Sequence, residues 1–213
     1  MTTLILVRHG QSEANLDKCF AGQTNPDLTQ MGHEQAEALS TWIIENFKID
    51  KIYSSDLIRA YNTAKPTSEK IDVPIIKSKA LREINAGYWH GKTFDDIIDE
   101  FPVEYSVWLN NIGNAVCPGG ESVEELLYRI LTALRKIAKE NPDKTVLVVT
   151  HATPIRVIQS YYENGSIEMM HNTPWVPNTS ATVCECEDEV LSFKLIGYDD
   201  FLNDLKSTLP NNV

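Results

Sequence analysis

Short apolar runs alternate with longer amphipathic stretches along the 213-residue chain, the pattern of an α/β domain built on a largely parallel sheet. Residues 4–7 and 146–149 read as the first strand and a central strand. Residues 51–53 and 73–76 read as shorter ones, and 181–187 with 190–196 as a closing hairpin around Asp188-Glu189, giving about six strands. Helices are predicted over 32–46, 56–70, 93–100 and 122–140 and after Pro154. In the longest, Val123, Leu126, Leu127, Ile130, Leu131, Leu134 and Ile137 have the spacing of one buried face. Ser122 and Glu125 form a capping-box pattern at its start, and Asn141-Pro142 ends it. Pro66 predicts a kink or an early stop in the second helix. Residues 198–205 suggest a terminal helix, followed by a frayed end over 210–213. No repeat or linker-like stretch divides the chain, so residues 1–213 are expected to form a single domain.

Both long strands end in a histidine, as Arg8-His9-Gly10 and Thr150-His151-Ala152. Ligand sites of open α/β sheets lie beyond the carboxyl ends of the strands, so adjacent placement of these two strands would bring both imidazoles into one crevice. A lone strand-end histidine would do no more than satisfy a loop carbonyl; two of them, one preceded by arginine, point to chemistry. Arg8 and Arg59 offer the bidentate donors that a phosphoryl dianion requires. By itself Arg59 could equally be a solvated arginine on a helix surface. Ser12 and Asn15 could add neutral donors or simply cap a turn.

The run Leu6-Val7-Arg8-His9-Gly10-Gln11-Ser12-Glu13-Ala14-Asn15 resembles the opening motif of the histidine phosphatase superfamily, the phosphoglycerate mutase-like fold. Further blocks agree in order: Phe20-Ala21-Gly22 leading to Pro26-Asp27-Leu28-Thr29, Ser54 to Ala64, Leu81-Arg82-Glu83, Pro118-Gly119-Gly120-Glu121-Ser122 and Val148-Val149-Thr150-His151. The resemblance covers most of residues 1–180. It implies a three-layer α/β/α sandwich with helices on both faces of the sheet, and a helical cap insertion around residues 93–116. It also implies double displacement through a phosphohistidine, with His9 as nucleophile, its other ring nitrogen held by a backbone carbonyl. Arg8, Arg59 and His151 would surround the phosphoryl oxygens, and Glu83 would act as general acid and then base. Ser12, Asn15, Gly22, Ala152 and Asn178 fall in the phosphate- or substrate-binding set. Neutral imidazole is available near pH 7, so no metal and no cofactor are implied. Without the family, Glu83 would read as a surface carboxylate paired with Arg82.

Some positions depart from the family. Ala152 stands where many members have glycine, Ala21 replaces a hydroxyl and Ala86 a tyrosine of the mutases, and no basic insertion lies between Gly91 and Gly119. Residues 93–116 contain no Lys or Arg but offer Phe101, Tyr105 and Trp108. These features favour a phosphomonoester hydrolase acting on a small phosphorylated metabolite, such as a sugar phosphate or a cobalamin-precursor phosphate. The alternatives are a cofactor-dependent phosphoglycerate mutase and, of another class, a non-catalytic module that binds a phosphorylated ligand. His171 and Trp175 are candidate contacts at the pocket mouth, while His33 and His90 read as structural or solvent-facing.

Composition narrows the setting. With 42% hydrophobic and 23% charged residues the chain has ordinary globular usage. A net charge of −11 opposes nucleic-acid and anionic-membrane partners, so any phosphate site must be a local basic pocket. The first residues lack the basic start and long apolar centre of a signal peptide, and a cytoplasmic location is expected. There Cys19, Cys117, Cys184 and Cys186 would be free thiols, and the Cys184-Glu185-Cys186 spacing does not suit zinc. A homodimer is compatible with the sequence, which singles out no face for it.

Overall fold

A computed structural model describes residues 1–207; the expected fraying at 210–213 lies outside them. The strands β1 (Thr2–Arg8), β2 (Lys51–Ser55), β3 (Ile75–Ser78), β4 (Thr145–Thr150), β5 (Ala181–Glu187) and β6 (Val190–Tyr198) form one sheet in the order β3-β2-β4-β1-β5-β6. The first four in that order are parallel, and β5 and β6 run antiparallel as the closing hairpin. Arg8 lies in register with Thr150 across β1 and β4, so the two strand-end histidines emerge side by side.

Seven α-helices accompany the sheet: α1 (Glu13–Leu16), α2 (Gln30–Asn46), α3 (Ile58–Ile71), α4 (Phe94–Glu100), α5 (Pro102–Asn110), α6 (Val123–Glu140) and α7 (Ala152–Glu163). Strand residues alternate between two cores because successive side chains leave opposite faces. Leu4, Leu6, Val146 and Val148 pack with α6 and α7, whereas Ile5, Val7, Leu147 and Val149 pack with α2 and α3. This is the expected three-layer sandwich. All seven apolar residues predicted on α6 are buried, and its capping box is in place: Ser122 Oγ accepts from Glu125 N–H at 3.1 Å and Glu125 Oε2 accepts from Ser122 N–H at 2.8 Å.

Several boundaries differ from the sequence reading. β3 lies two residues further on, and α3 starts at Ile58 and continues past Pro66 without the early stop. Burial of Thr63, Ala64 and Thr67 on either side of Pro66 holds α3 against its neighbours despite the missing backbone donor. α7 begins before Pro154, which falls in the first turn where an N–H has no intrahelical partner. Residues 198–205 are not one α-helix: β6 runs to Tyr198, and a 3-10 segment, Asp200–Leu205, is broken at Asn203 with φ 48° and ψ −118°. Two helices escaped the pattern altogether, the single-turn α1 and α5, whose apolar residues do not follow one face.

The expected cap is therefore a helix pair, α4 and α5. Phe20, Trp89 and Trp108 tie it to the body edge to face, with ring centroids 5.1–5.8 Å apart. No helix among the described residues is long and apolar enough to cross a membrane. Because Pro66 removes an interior helix hydrogen bond, Pro66→Ala is expected to raise unfolding stability by about 1–2 kcal/mol in urea titration; a loss would mean that α3 is shaped around the ring.

Candidate active site

The site forms where β1, β2 and β4 end. His9 follows β1, and its backbone N–H donates to Thr150 O at 3.0 Å. Its imidazole Nδ1 lies 2.7 Å from Gly10 O, and its Nε2 accepts from Arg59 Nε at 3.2 Å. The second contact requires a lone pair on Nε2, which places the proton on Nδ1, where it is donated to the carbonyl. The ring thus carries its lone pair on Nε2, with the carbonyl support at Nδ1 expected from the sequence.

Arg59 occupies the first turn of α3 and is fully buried. Its Nη1 donates to Thr24 O and its Nη2 to Gly22 O, both at 2.8 Å, so the fork is aimed by a loop lacking regular structure. Gly22 supplies this carbonyl at φ +48°, and a Cβ there would lie 2.4 Å from the His90 ring. Glycine is required at this point by both backbone conformation and space. His90 in turn accepts from Ala86 N–H at 3.2 Å, a structural role as expected. Arg8 donates from Nη1 to Val176 O at 2.7 Å, while its Nε has no partner among the described residues.

His151 is fully buried at the start of α7, its ring centroid 5.1 Å from that of His9. One ring nitrogen, Nε2, contacts Ser55 Oγ at 2.9 Å, and Nδ1 has no partner among the described residues. Glu83 Oε1 accepts from Ile84 N–H at 2.8 Å and Oε2 from Thr153 N–H at 3.3 Å. Its neighbour Arg82 turns away to form a two-pronged ion pair with Asp56, at 2.6 Å for each bond, so Arg82 does not neutralise Glu83.

The pocket wall includes Arg8, His9, Asn15, Gly22, Arg59, Glu83 and Ala152 from the predicted set. His151 lies directly behind it. Ser12 and Asn178 do not line the pocket. Ser12 is buried and directs both its N–H and its hydroxyl to Asn15 Oδ1, at 3.1 Å each. Asn178 Nδ2 donates to the same Oδ1 at 3.2 Å and to His9 O at 3.1 Å. Three donors on one oxygen fix the Asn15 amide, leaving its NH₂ free to donate. Ser12 and Asn178 thus orient the Asn15 amide.

At the mouth, Trp175 lines the pocket, but His171 is exposed and lies away from it. Trp175 is backed by the buried Arg156, whose guanidinium lies 4.1 Å from the ring centroid and whose donors bind Thr173 O and Met170 O. Arg156, Thr153, Lys18 and the Gly22 and Thr24 carbonyls were not singled out from the sequence. A backbone carbonyl has no residue-type signature, and a buried arginine looks like a surface one in a helical pattern.

Electrostatics match this geometry. Burial, reinforced by Arg59 and Arg8, holds His9 well below the ordinary imidazole value of 6.5, and burial with Arg59 and His9 does the same to His151. Burial pushes Glu83 above the usual carboxylate range, offset in part by the Ile84 and Thr153 amides and by Arg59. Arg8 and Arg59 are pushed down by burial to about 10 and remain cationic at neutral pH. The site therefore combines two neutral imidazoles, two fixed cations and a carboxyl whose pKa is raised. No three His, Cys, Asp or Glu side chains are grouped to hold a metal ion among the described residues, and the four cysteines are unpaired.

The profile of the histidine phosphatase superfamily (branch 1) matches residues 4–199. Phosphoserine phosphatase 1 of Hydrogenobacter thermophilus is 33% identical over 158 residues, 74% of each chain. The metal-independent phosphoserine phosphatase of Arabidopsis thaliana is 32% identical over 160 residues, 74% of this chain and 67% of that protein. Among solved structures, YhfR of Bacillus stearothermophilus superposes with a TM-score of 0.90 at 27% identity, covering 95% of this chain and all of that one.

Unfolded, His9 and His151 would titrate at the ordinary value, so as pH falls through about 6.5 the unfolded chain takes up two protons that the folded site refuses. Stability from these groups is fully present above that pH and is lost below it. Glu83, shifted upward, acts in the opposite sense with one proton. Urea unfolding between about pH 8 and 5 should show stability falling toward acid, with a shallower slope in His151→Asn.

Proposed function

The chain belongs to the histidine phosphatase superfamily, and from that premise we propose that His9 is the nucleophile and Glu83 the proton donor of a metal-independent phosphomonoester hydrolase. The observation that carries this reading is the bond from Arg59 Nε to His9 Nε2, which keeps the proton off Nε2 and sets that nitrogen beside a cation suited to the phosphoryl oxygens. In the first step the Nε2 lone pair attacks phosphorus, the phosphorus–oxygen ester bond breaks, and Glu83 gives its proton to the departing oxygen. In the second, the Glu83 carboxylate takes a proton from water, the new oxygen bonds to phosphorus, and the phosphorus–nitrogen bond breaks to release phosphate. Arg8 and Arg59, with the Asn15 amide, hold the transferring group throughout, and His151 stands behind them. Two fixed guanidinium groups carry the charge stabilisation that a metal would otherwise provide.

The rest of the pocket wall describes the leaving group. Phe20, Phe94, Trp108 and Trp175 form its outer part with Ala14 and Ala21, and the cap contributes no cation. A small phosphomonoester with a partly apolar leaving group fits these walls. A mutase would need cations for the second phosphoryl of a bisphosphorylated intermediate, and beyond Arg8 and Arg59 the wall has only Lys18. The same Lys18 favours a second reading, phosphoserine, since its ammonium could meet the substrate carboxylate; phosphoserine is the substrate named for several relatives.

With chelator present, the enzyme should retain activity, and His9→Ala should abolish it. For Glu83→Gln, kcat/KM on an alkyl phosphate should fall about 100-fold, while 4-nitrophenyl phosphate, whose leaving group needs no proton, should change by less than about tenfold. Equal losses on both esters would remove Glu83 as the acid. The kcat/KM profile on the alkyl ester should be bell-shaped, its acidic limb set by the lowered His9 and its basic limb by the raised Glu83.

An aryl or alkyl-chain phosphate should be preferred over phosphoserine by about tenfold or more, and Trp175→Ala should erase the preference. Preference for phosphoserine, lost in Lys18→Ala, would establish the second reading instead.

A further inference from the structure

The segment bearing Glu83 has little regular structure of its own. It runs between two 3-10 turns, Lys79–Leu81 and Gly87–Trp89, and the carboxylate is held only by the neighbouring Ile84 amide and by Thr153. A general acid must nevertheless stay within hydrogen-bond reach of the departing oxygen. The question is what keeps this backbone in place.

Arg129 on α6 reaches beneath the segment. Its Nη1 donates to Ala80 O at 3.0 Å and to Arg82 O at 2.9 Å, and its Nη2 to Glu83 O at 3.1 Å. The guanidinium is itself fixed by Glu121, with Nε to Oε1 and Nη2 to Oε2 both at 2.7 Å. Glu121 then grips the other side of Glu83: its Oε2 accepts from Asn85 N–H at 2.7 Å, and its backbone N–H donates to Asn85 O at 2.8 Å. Close approach of the adjoining turn is enforced at Gly120, where a Cβ would lie 2.0 Å from Asn85 O. The pair therefore binds backbone groups from residue 80 to residue 85, flanking Glu83 on both sides. Both side chains are about four-fifths covered, at 22% and 18% exposure, and neither lines the pocket.

We infer that the Arg129–Glu121 pair is a positioning device for the proton donor: it acts on leaving-group protonation through the Glu83 backbone and makes no contact with substrate. This rests on the reading of Glu83 as the acid. Planar bidentate geometry suits the task, because an arginine locked by a carboxylate still has donors for carbonyls held at fixed spacing, whereas a lysine offers a single flexible charge. Misplacement of a reacting group by about 1 Å can cost on the order of 100-fold in rate. The loss should appear only where the acid is needed.

The test compares kcat/KM on an alkyl phosphate and on 4-nitrophenyl phosphate, in chelator, for Arg129→Gln, Arg129→Lys, the doubly neutral Arg129→Gln/Glu121→Gln, Glu83→Gln and Arg129→Gln/Glu83→Gln. The double neutral variant leaves no charge buried without a partner, and with Arg129→Lys it carries the comparison if Arg129→Gln does not fold. The inference expects a loss of about tenfold or more on the alkyl ester with less than about threefold on the nitrophenyl ester, and partial recovery in Arg129→Lys. Adding Arg129→Gln to Glu83→Gln should cost nothing further, because the two act as a unit. Equal losses on both esters, or a loss that multiplies with Glu83→Gln, would reduce the pair to general structural support and overturn the inference. If Glu83→Gln is selective while the Arg129 variants are not, the positioning role alone fails; if Glu83→Gln itself spares the alkyl ester, the acid reading fails first.

Discussion

Two guanidinium groups buried beside two neutral imidazoles govern this structure. Removing Arg8 and Arg59 from water is costly unless their donors find partners. Arg59 is matched by the Gly22 and Thr24 carbonyls and by His9 Nε2, and Arg8 by the Val176 carbonyl. Those carbonyls belong to loops from distant parts of the chain, so satisfying the cations also brings the pocket walls together. Burial, reinforced by the same cations, suppresses protonation of both histidines.

Around that centre the molecule divides its labour by depth. The ends of β1 and β4 bring Arg8, His9 and His151 together, because the two strands lie side by side in register, and the first turn of α3 adds Arg59. Behind them, polar residues hold these groups: Ser12 and Asn178 orient the Asn15 amide, and Thr63 accepts from Gly10 N–H while donating to Arg59 O. In front, the α4–α5 cap and Trp175 supply aromatic surface. The turn Pro118-Gly119-Gly120-Glu121-Ser122 has two structural duties, starting α6 through the Ser122 cap and presenting Glu121 to Arg129 and Asn85.

Elements with a strong local pattern could be read from the chain. α6 was legible because seven apolar residues repeat on one face between a capping box and Asn-Pro, and β1 and β4 because short apolar runs of strand length stand between polar loops. α5 was illegible: it is stabilised by burying Tyr105 and Trp108 in a cluster with Trp89 and Phe20, partners that its own periodicity does not encode. Pro66 misled because a local rule about donors was outweighed by tertiary packing on both sides of it. Ser12 and Asn178 have residue types that suit phosphate, yet buried hydrogen bonds turn them toward Asn15.

By itself, then, the sequence determined the α/β class, the histidine pair with its arginines, and the family to which they belong, since residue type and spacing along the chain carry that information. Tertiary structure alone decided which nitrogen of His9 carries the proton, which neutral side chains face the pocket, that Arg82 serves Asp56 and not Glu83, and that Arg129 reaches the Glu83 segment from a helix 46 residues further along. Those outcomes depend on burial and on competition among donors and acceptors brought together from distant parts of the chain. No local pattern records that competition.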